Sequence, residues 1–275
     1  MSLPMVALIL LLLGLALLVL LFPSLVIRVL LVALNPWMIF VGPGRQKRLA
    51  LTIDDGPSGA GSDAILELLQ ELKVPATFFL IGSHLQRNEH FPRQALAQGH
   101  ELGNHLWRDE RAITLARPAF EDQLRQTEQA IEHAVAPAQP SWRWFRPGGG
   151  WFRREMGDWL AGGPYRLVLG SIFPWDTLRP PLWFVRLFIW INAHPGGILV
   201  LHDTPELSAR TALTLRRIIP DLRRRGYRFV PLGELLAEVG PTIRAVCPKG
   251  NALQQPARSD QRRRGEQPQA PGGRS

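Results

Sequence analysis

Leu51-Thr52-Ile53-Asp54-Asp55-Gly56-Pro57 decides the fold. Apolar and β-branched residues from Ala50 to Ile53 read as a short buried strand. It stops at two adjacent carboxylates and a Gly-Pro breaker. Successive strand side chains point to opposite faces, so Asp54 and Asp55 are expected to play different parts. In a parallel sheet alternating with helices this is a strand's C-terminal end, where such folds hold their chemistry. One carboxylate there can hold a metal while its neighbour handles a proton. Asp-Asp-Gly-Pro alone also describes a turn that caps the next helix, so the decision rests on what surrounds it.

Outward from this stretch, strand patterns fall at 49–53, 76–81, 100–103, 142–146, 165–169, 197–201 and 227–230. Helical patterns lie near 62–72, 91–98, 118–134, 151–161, 181–193, 208–225 and 231–239. Seven βα units predict an α/β fold with a parallel sheet, either doubly wound or closed into a barrel. A barrel brings the ends of several strands to one mouth.

The two ends of the chain read differently. Pro4 to Phe22 is apolar without a charge, and a second apolar run from Leu25 to Val41 carries only Arg28. The first run is long enough to span a bilayer core of roughly 30 Å, so residues 1–42 are expected to form a membrane anchor with Trp37 near the headgroups. Arg28, Arg45, Lys47 and Arg48 all follow the first span, which by the positive-inside rule favours the cytoplasm for what comes next. Residues 48–240 are expected to be the catalytic domain. The Gln-, Pro-, Gly- and Arg-rich stretch 251–275 cannot bury enough apolar surface to fold, and its Arg262, Arg263 and Arg264 read as a solvated basic tail rather than a nucleic-acid site. A single cysteine, Cys247, among 275 residues excludes a disulfide framework and a cysteine metal cluster. The net charge of +9 is carried partly by the Arg-rich ends and defines no basic face.

Four later strand ends also carry polar clusters. His100-Glu101-Leu102-Gly103-Asn104-His105 leads to Asp109, and a helical turn would put His105 and Asp109 on one face. With Asp55 they would form a three-ligand site with room for a water, the layout of a catalytic zinc site. Next, Arg146-Pro147-Gly148-Gly149-Gly150-Trp151 offers an arginine that can clamp a carboxylate and backbone N–H groups open to an oxyanion. The fourth cluster is Pro174-Trp175-Asp176. The last strand, 197–201, ends on His202-Asp203, a histidine placed for proton transfer beside a carboxylate that can set its tautomer.

In the order of these motifs the chain resembles the NodB-homology polysaccharide deacetylases of carbohydrate esterase family four, over roughly residues 48–235. The resemblance implies a distorted (β/α) barrel of about seven parallel strands that removes acetyl groups from N-acetylated sugars of a polysaccharide. It implies Asp54 as general base, Asp55 and His105 as metal ligands, Arg146 as the residue orienting the base, and His202 as general acid. Leu201 would line the acetyl pocket, Gly148 and Gly149 would supply an oxyanion donor, and Asp176 or Asp203 would tune His202. Trp151 and Trp175 flank motifs and are candidates to stack on sugars, or to pack a pocket rim.

The sequence departs from the family where His-Ser/Thr-x-x-His is usual. Leu106 follows the first histidine, and Asp109 stands at the third-ligand position. The expected ligand set is thus Asp55, His105 and Asp109, on a divalent ion: zinc first, with manganese, cobalt or magnesium as alternatives. A glycan substrate favours the outer side of the membrane for the domain. Two other functions fit the same residues: a glycan-binding protein whose metal site has decayed, and a metal-dependent glycosyltransferase.

Overall fold

The structure, a computed structural model, describes residues 3–21, 35, 37–136, 143–161 and 163–237. After the N-terminal helix α1 (Leu3–Leu21), strands and helices alternate. They are β1 (Arg48–Gly56), α2 (Ala60–Leu72), β2 (Thr77–Leu80), the single turn α3 (Gly82–Leu85), α4 (His90–Ala97), β3 (Glu101–Asn104), α5 (Arg117–Val135), β4 (Arg143–Phe145) and α6 (Glu155–Leu160). The chain continues through β5 (Tyr165–Leu167), α7 (Leu182–Asn192), β6 (Gly197–His202), α8 (Ser208–Arg224), β7 (Arg228–Phe229) and α9 (Leu232–Ala237). Each of the seven expected strands is present.

All pairings are parallel, in the order β5-β4-β3-β2-β1-β6, with β7 beside the start of β1. Isolated parallel bridges Ile39–Val168 and Ile172–Leu199 carry the β5 edge round towards β6, an arrangement consistent with a distorted barrel. The strands are buried on both faces, as parallel strands covered by helices are. Leu49, Leu51 and Ile53 of β1 pack into a core shared with the surrounding helices. Ala50, on the other face, joins Phe79, Trp144, Val168 and Ile198 inside the sheet, where Leu232 and Leu235 of α9 close the far end. The inward positions further up β1 are Thr52 and Asp54, which puts polar groups at the strands' C-terminal mouth.

The N-terminal expectations need correcting. α1 has 19 residues and no charge. Among the described residues no helix is long and apolar enough to cross a membrane. The spanning segment expected within 1–42 is therefore not established. Most of the second apolar run lies outside the described residues. Its end does not belong to an anchor: Met38, Ile39 and Phe40 are buried in the domain, and Trp37 meets Phe152 edge to face. An apolar run that fills the seam between two sheet edges has the same composition as one meant for lipid. The expected tail, 251–275, also lies outside the described residues.

Candidate active site

β1 departs from regular pairing at its carboxylates. The register shifts between Ile53 and Gly56, and Asp55 has φ 69°, a left-handed conformation that is uncommon for a residue with a Cβ. The His84 ring, on the single turn α3, donates from Nδ1 to the Asp55 carbonyl at 3.0 Å. This irregular step lets two adjacent carboxylates reach different partners around one mouth.

Asp54 is buried and accepts a 2.6 Å hydrogen bond at Oδ1 from Nη1 of Arg146. Arg146 follows β4 directly, and four further contacts fix it. Nη1 also donates to Thr52 Oγ1, Nε to the Val168 carbonyl and Nη2 to the Leu169 carbonyl, and the guanidinium lies 4.0 Å from the centroid of the Phe79 ring. Arg146 thus clamps the Asp54 carboxylate.

Asp54 is the register partner of His202 on the neighbouring strand. His202 Nδ1 donates to Asp176, with oxygens at 3.0 and 3.1 Å, and the His202 backbone N–H donates to the same carboxylate at 3.0 Å. Burial alone would lower the imidazole pKa, but the Asp176 charge and hydrogen bond, with the Asp54 and Asp55 charges, raise it to about 9. A histidine so held is an acid across the neutral range. Asp203, the other candidate to tune it, is turned away: its carboxylate accepts from Ser58, Ser62 and Ser208, while its backbone N–H donates to the Asp54 carbonyl at 2.8 Å.

His105 is buried at the end of β3, with Nε2 3.2 Å from Asp55 Oδ1. Burial would lower its pKa, but the hydrogen bond to Asp55 and the charges of Asp54 and Asp55 outweigh this and raise it. Burial would likewise raise the Asp55 carboxyl, and His105, through hydrogen bond and charge, turns the net shift downwards. Two donors each about 2.1 Å from one ion, at tetrahedral or octahedral angles, stand roughly 3.0–3.4 Å apart, so Asp55 and His105 fit a divalent ion as two of its ligands.

Asp109 is not brought to them. Leu106 takes φ 71°, its N–H caps onto Asn104 Oδ1, and residues 107–110 form a bend with Asp109 exposed. The helical turn expected to align His105 with Asp109 does not form. Among the described residues no group of three His, Cys, Asp or Glu side chains is placed to hold a metal. Glu110, next in sequence, is bonded to Gln123 instead.

The remaining candidates divide. Leu201 is fully buried in the outer core, behind His202, and lines a small cavity with Asp176, Leu182 and Val185. Trp175 packs against the same core from a left-handed residue, and Trp151 stands well exposed. Gly148 and Gly149 sit in a short 3₁₀ turn, where a Cβ on Gly148 would lie 2.3 Å from the Glu110 carbonyl oxygen. Tight packing accounts for glycine there. His84 had no motif around it in sequence, because its contact with the Asp55 carbonyl is made by a turn that follows the next strand.

With this geometry in view, the comparisons with known proteins agree with it. The polysaccharide deacetylase family model matches residues 41–167. A peptidoglycan-N-acetylglucosamine deacetylase of Bacillus cereus is 34% identical over 196 residues, covering 70% of this chain and 90% of that protein. A chitooligosaccharide deacetylase of Rhizobium leguminosarum bv. trifolii is 31% identical over 193 residues, 66% of this chain and 88% of its own. Among solved structures, a peptidoglycan N-acetylglucosamine deacetylase superposes with TM-score 0.70 at 25% identity, covering 75% of this chain and 96% of its own. A CE4 family pseudoenzyme from Bacillus anthracis superposes with TM-score 0.65 at 29% identity, covering 72% and 68%. From the Asp-Asp strand end to the His202–Asp176 pair, the chain belongs to the polysaccharide deacetylase family.

Proposed function

We propose that this chain hydrolyses the acetamide of N-acetylated sugars in a glycan, giving acetate and a free amine. The observation that carries the reading is the pairing of Asp54 with His202 across adjacent strands, each with its own orienting partner. Arg146 occupies Asp54 Oδ1 and leaves the other oxygen to accept a proton from the attacking water. Asp176 holds the proton on His202 Nδ1, so the protonated ring has Nε2–H to give to the departing nitrogen as the C–N bond breaks. Asp55 and His105 would hold a divalent ion, which would supply Lewis-acid polarisation of the carbonyl and a more acidic water. Zinc suits an imidazole–carboxylate pair, and manganese, cobalt and magnesium are the alternatives to compare. The names of the relatives point to peptidoglycan and chitin-type oligomers as substrates, which favours an outer-side location, with the exposed apolar α1 associated with the membrane.

Acetate release from N-acetylated chito-oligomers and from peptidoglycan fragments tests this. The parent should release acetate and Asp54→Asn should not. A second reading, a glycan-binding protein with little turnover, is favoured by the exposed Asp109 and by the likeness to a pseudoenzyme. Glycan binding by the metal-supplied parent without acetate release would establish it instead.

A further inference from the structure

α7, Leu182–Asn192, is apolar on both faces. Val185, Phe188 and Ile189 are buried towards the sheet and α8. The opposite face carries Trp183, Leu187, Trp190 and Ile191, exposed by 64, 46, 46 and 42%. At 100° per residue these four fall within an arc of about 100°, one continuous stripe. Leu178, in the turn that carries Asp176, is 76% exposed and adds to the apolar surface ahead of the helix. A helix that is hydrophobic all round is one expected inside a core or against lipid, and contiguous apolar surface on this scale marks an interaction site.

The rim of the stripe identifies the chemistry of its partner. α7 contains no acidic residue. Arg186 and Arg224 share the single carboxylate of Asp221. Arg225 lies 4.6 Å over the Trp190 ring and donates to the Trp190 carbonyl. Arg179 precedes the helix. A tryptophan with an arginine stacked on it, at the edge of an apolar stripe, is suited to the headgroup layer of a bilayer, and the excess of positive charge favours anionic headgroups.

We propose that the Trp183–Leu187–Trp190–Ile191 face of α7 seats in the interfacial layer of an anionic membrane. The orientation follows from where α7 lies: it starts four residues after Leu178, so seating it holds the Asp176–His202 side of the domain close to the bilayer. The proposal stands apart from the hydrolytic reading, since lipid contact is measured without turnover.

The test uses the full chain bound to vesicles of phosphatidylcholine and phosphatidylglycerol containing a brominated phosphatidylcholine. Bromolipids quench only indoles at the interface. Quenching should fall by at least half in the Trp183→Phe/Trp190→Phe variant, and should be weaker in vesicles without phosphatidylglycerol. Leu187→Glu/Ile191→Glu should abolish quenching of the two indoles while the thermal melt stays within a few degrees of the parent, as expected for exposed positions. Quenching that is the same with and without the two tryptophans overturns the proposal. So does a dimer in lipid-free solution that the double glutamate variant dissociates, or protection of both indoles from aqueous acrylamide before vesicles are added, since a second copy or the chain's own residues would then cover the stripe.

Discussion

Asp54 and Arg146, 92 residues apart in sequence, meet inside the barrel mouth at 2.6 Å with both side chains buried. Removing one member of such a pair leaves the other charge without its counter-ion, which typically costs about 3–5 kcal/mol. Arg146→Met should therefore lower both stability and turnover. Asp54→Asn also takes away the counter-ion but keeps an acceptor, and Arg146 retains its bonds to Thr52, Val168 and Leu169, so it should lose less stability than Arg146→Met while turnover drops by about 10²–10⁴-fold, the range of general acid–base contributions. Chemical denaturation alongside acetate-release kinetics separates the two variants. An active Asp54→Asn would remove Asp54 from the role of base.

His202 owes its pKa of about 9 to Asp176 before any other charge. The folded value lies above the ordinary 6.5, so the associated stability is fully present below about pH 6.5 and is lost as pH rises through about 9. Asp176→Asn should move the alkaline limb of kcat/KM to lower pH and flatten the fall in stability between pH 6.5 and 9.5. Rate profiles and urea midpoints across that window measure both. An unmoved alkaline limb would mean that another group donates the proton.

Asp109 faces solvent and Asp55 faces His105. Asp109→Ala should leave zinc affinity within about twofold, whereas Asp55→Asn and His105→Asn should each weaken it by at least the 10–100-fold typical of losing a ligand's support. Competition with a chromophoric chelator gives all three values without any turnover assay. Asp109→His tests whether the bend can be drawn in, since a third ligand would tighten binding relative to the parent.

Ser62 is one of three hydroxyls that donate to the buried Asp203 carboxylate. Burial raises the Asp203 pKa even with these donors present. Ser62→Ala takes one away and should cost about 1–3 kcal/mol at neutral pH, read as a lower thermal midpoint. Ionised Asp203 is the form that misses the donor, so the deficit should shrink as pH falls and the carboxyl is protonated. A deficit that does not change with pH would point to lost packing instead.

The strands were readable because each is a short apolar run closed by Gly, Pro or a polar cluster, and burial on both faces demands that composition. Asp54, Arg146 and His202 were readable for the same reason, as each stands at or just beyond the end of such a run, whereas Asp176 was picked out by the resemblance of its Pro174-Trp175-Asp176 cluster. Other features were set by things a linear pattern does not carry. The turn at Asp55 depends on a register shift against β2, and the outward course of Asp109 depends on one left-handed leucine. The serines around Asp203 come from the loop after β1, from α2 and from α8, so no spacing rule joins them. Residues 37–41 were mistaken for lipid-facing because a buried seam segment and a membrane segment are both continuous apolar runs.

The segment at that seam ties the N-terminal part of the chain to the reaction centre mechanically. The Leu169 N–H donates to the Ile39 carbonyl, and the Leu169 carbonyl accepts from Arg146 Nη2. One residue therefore separates the incoming chain from the guanidinium that holds Asp54. A protein trimmed to begin at Gly44 would lose no group from the mouth, yet it would loosen the wall against which Arg146 is braced. Tension carried along the chain to Ile39 would bear on that same wall.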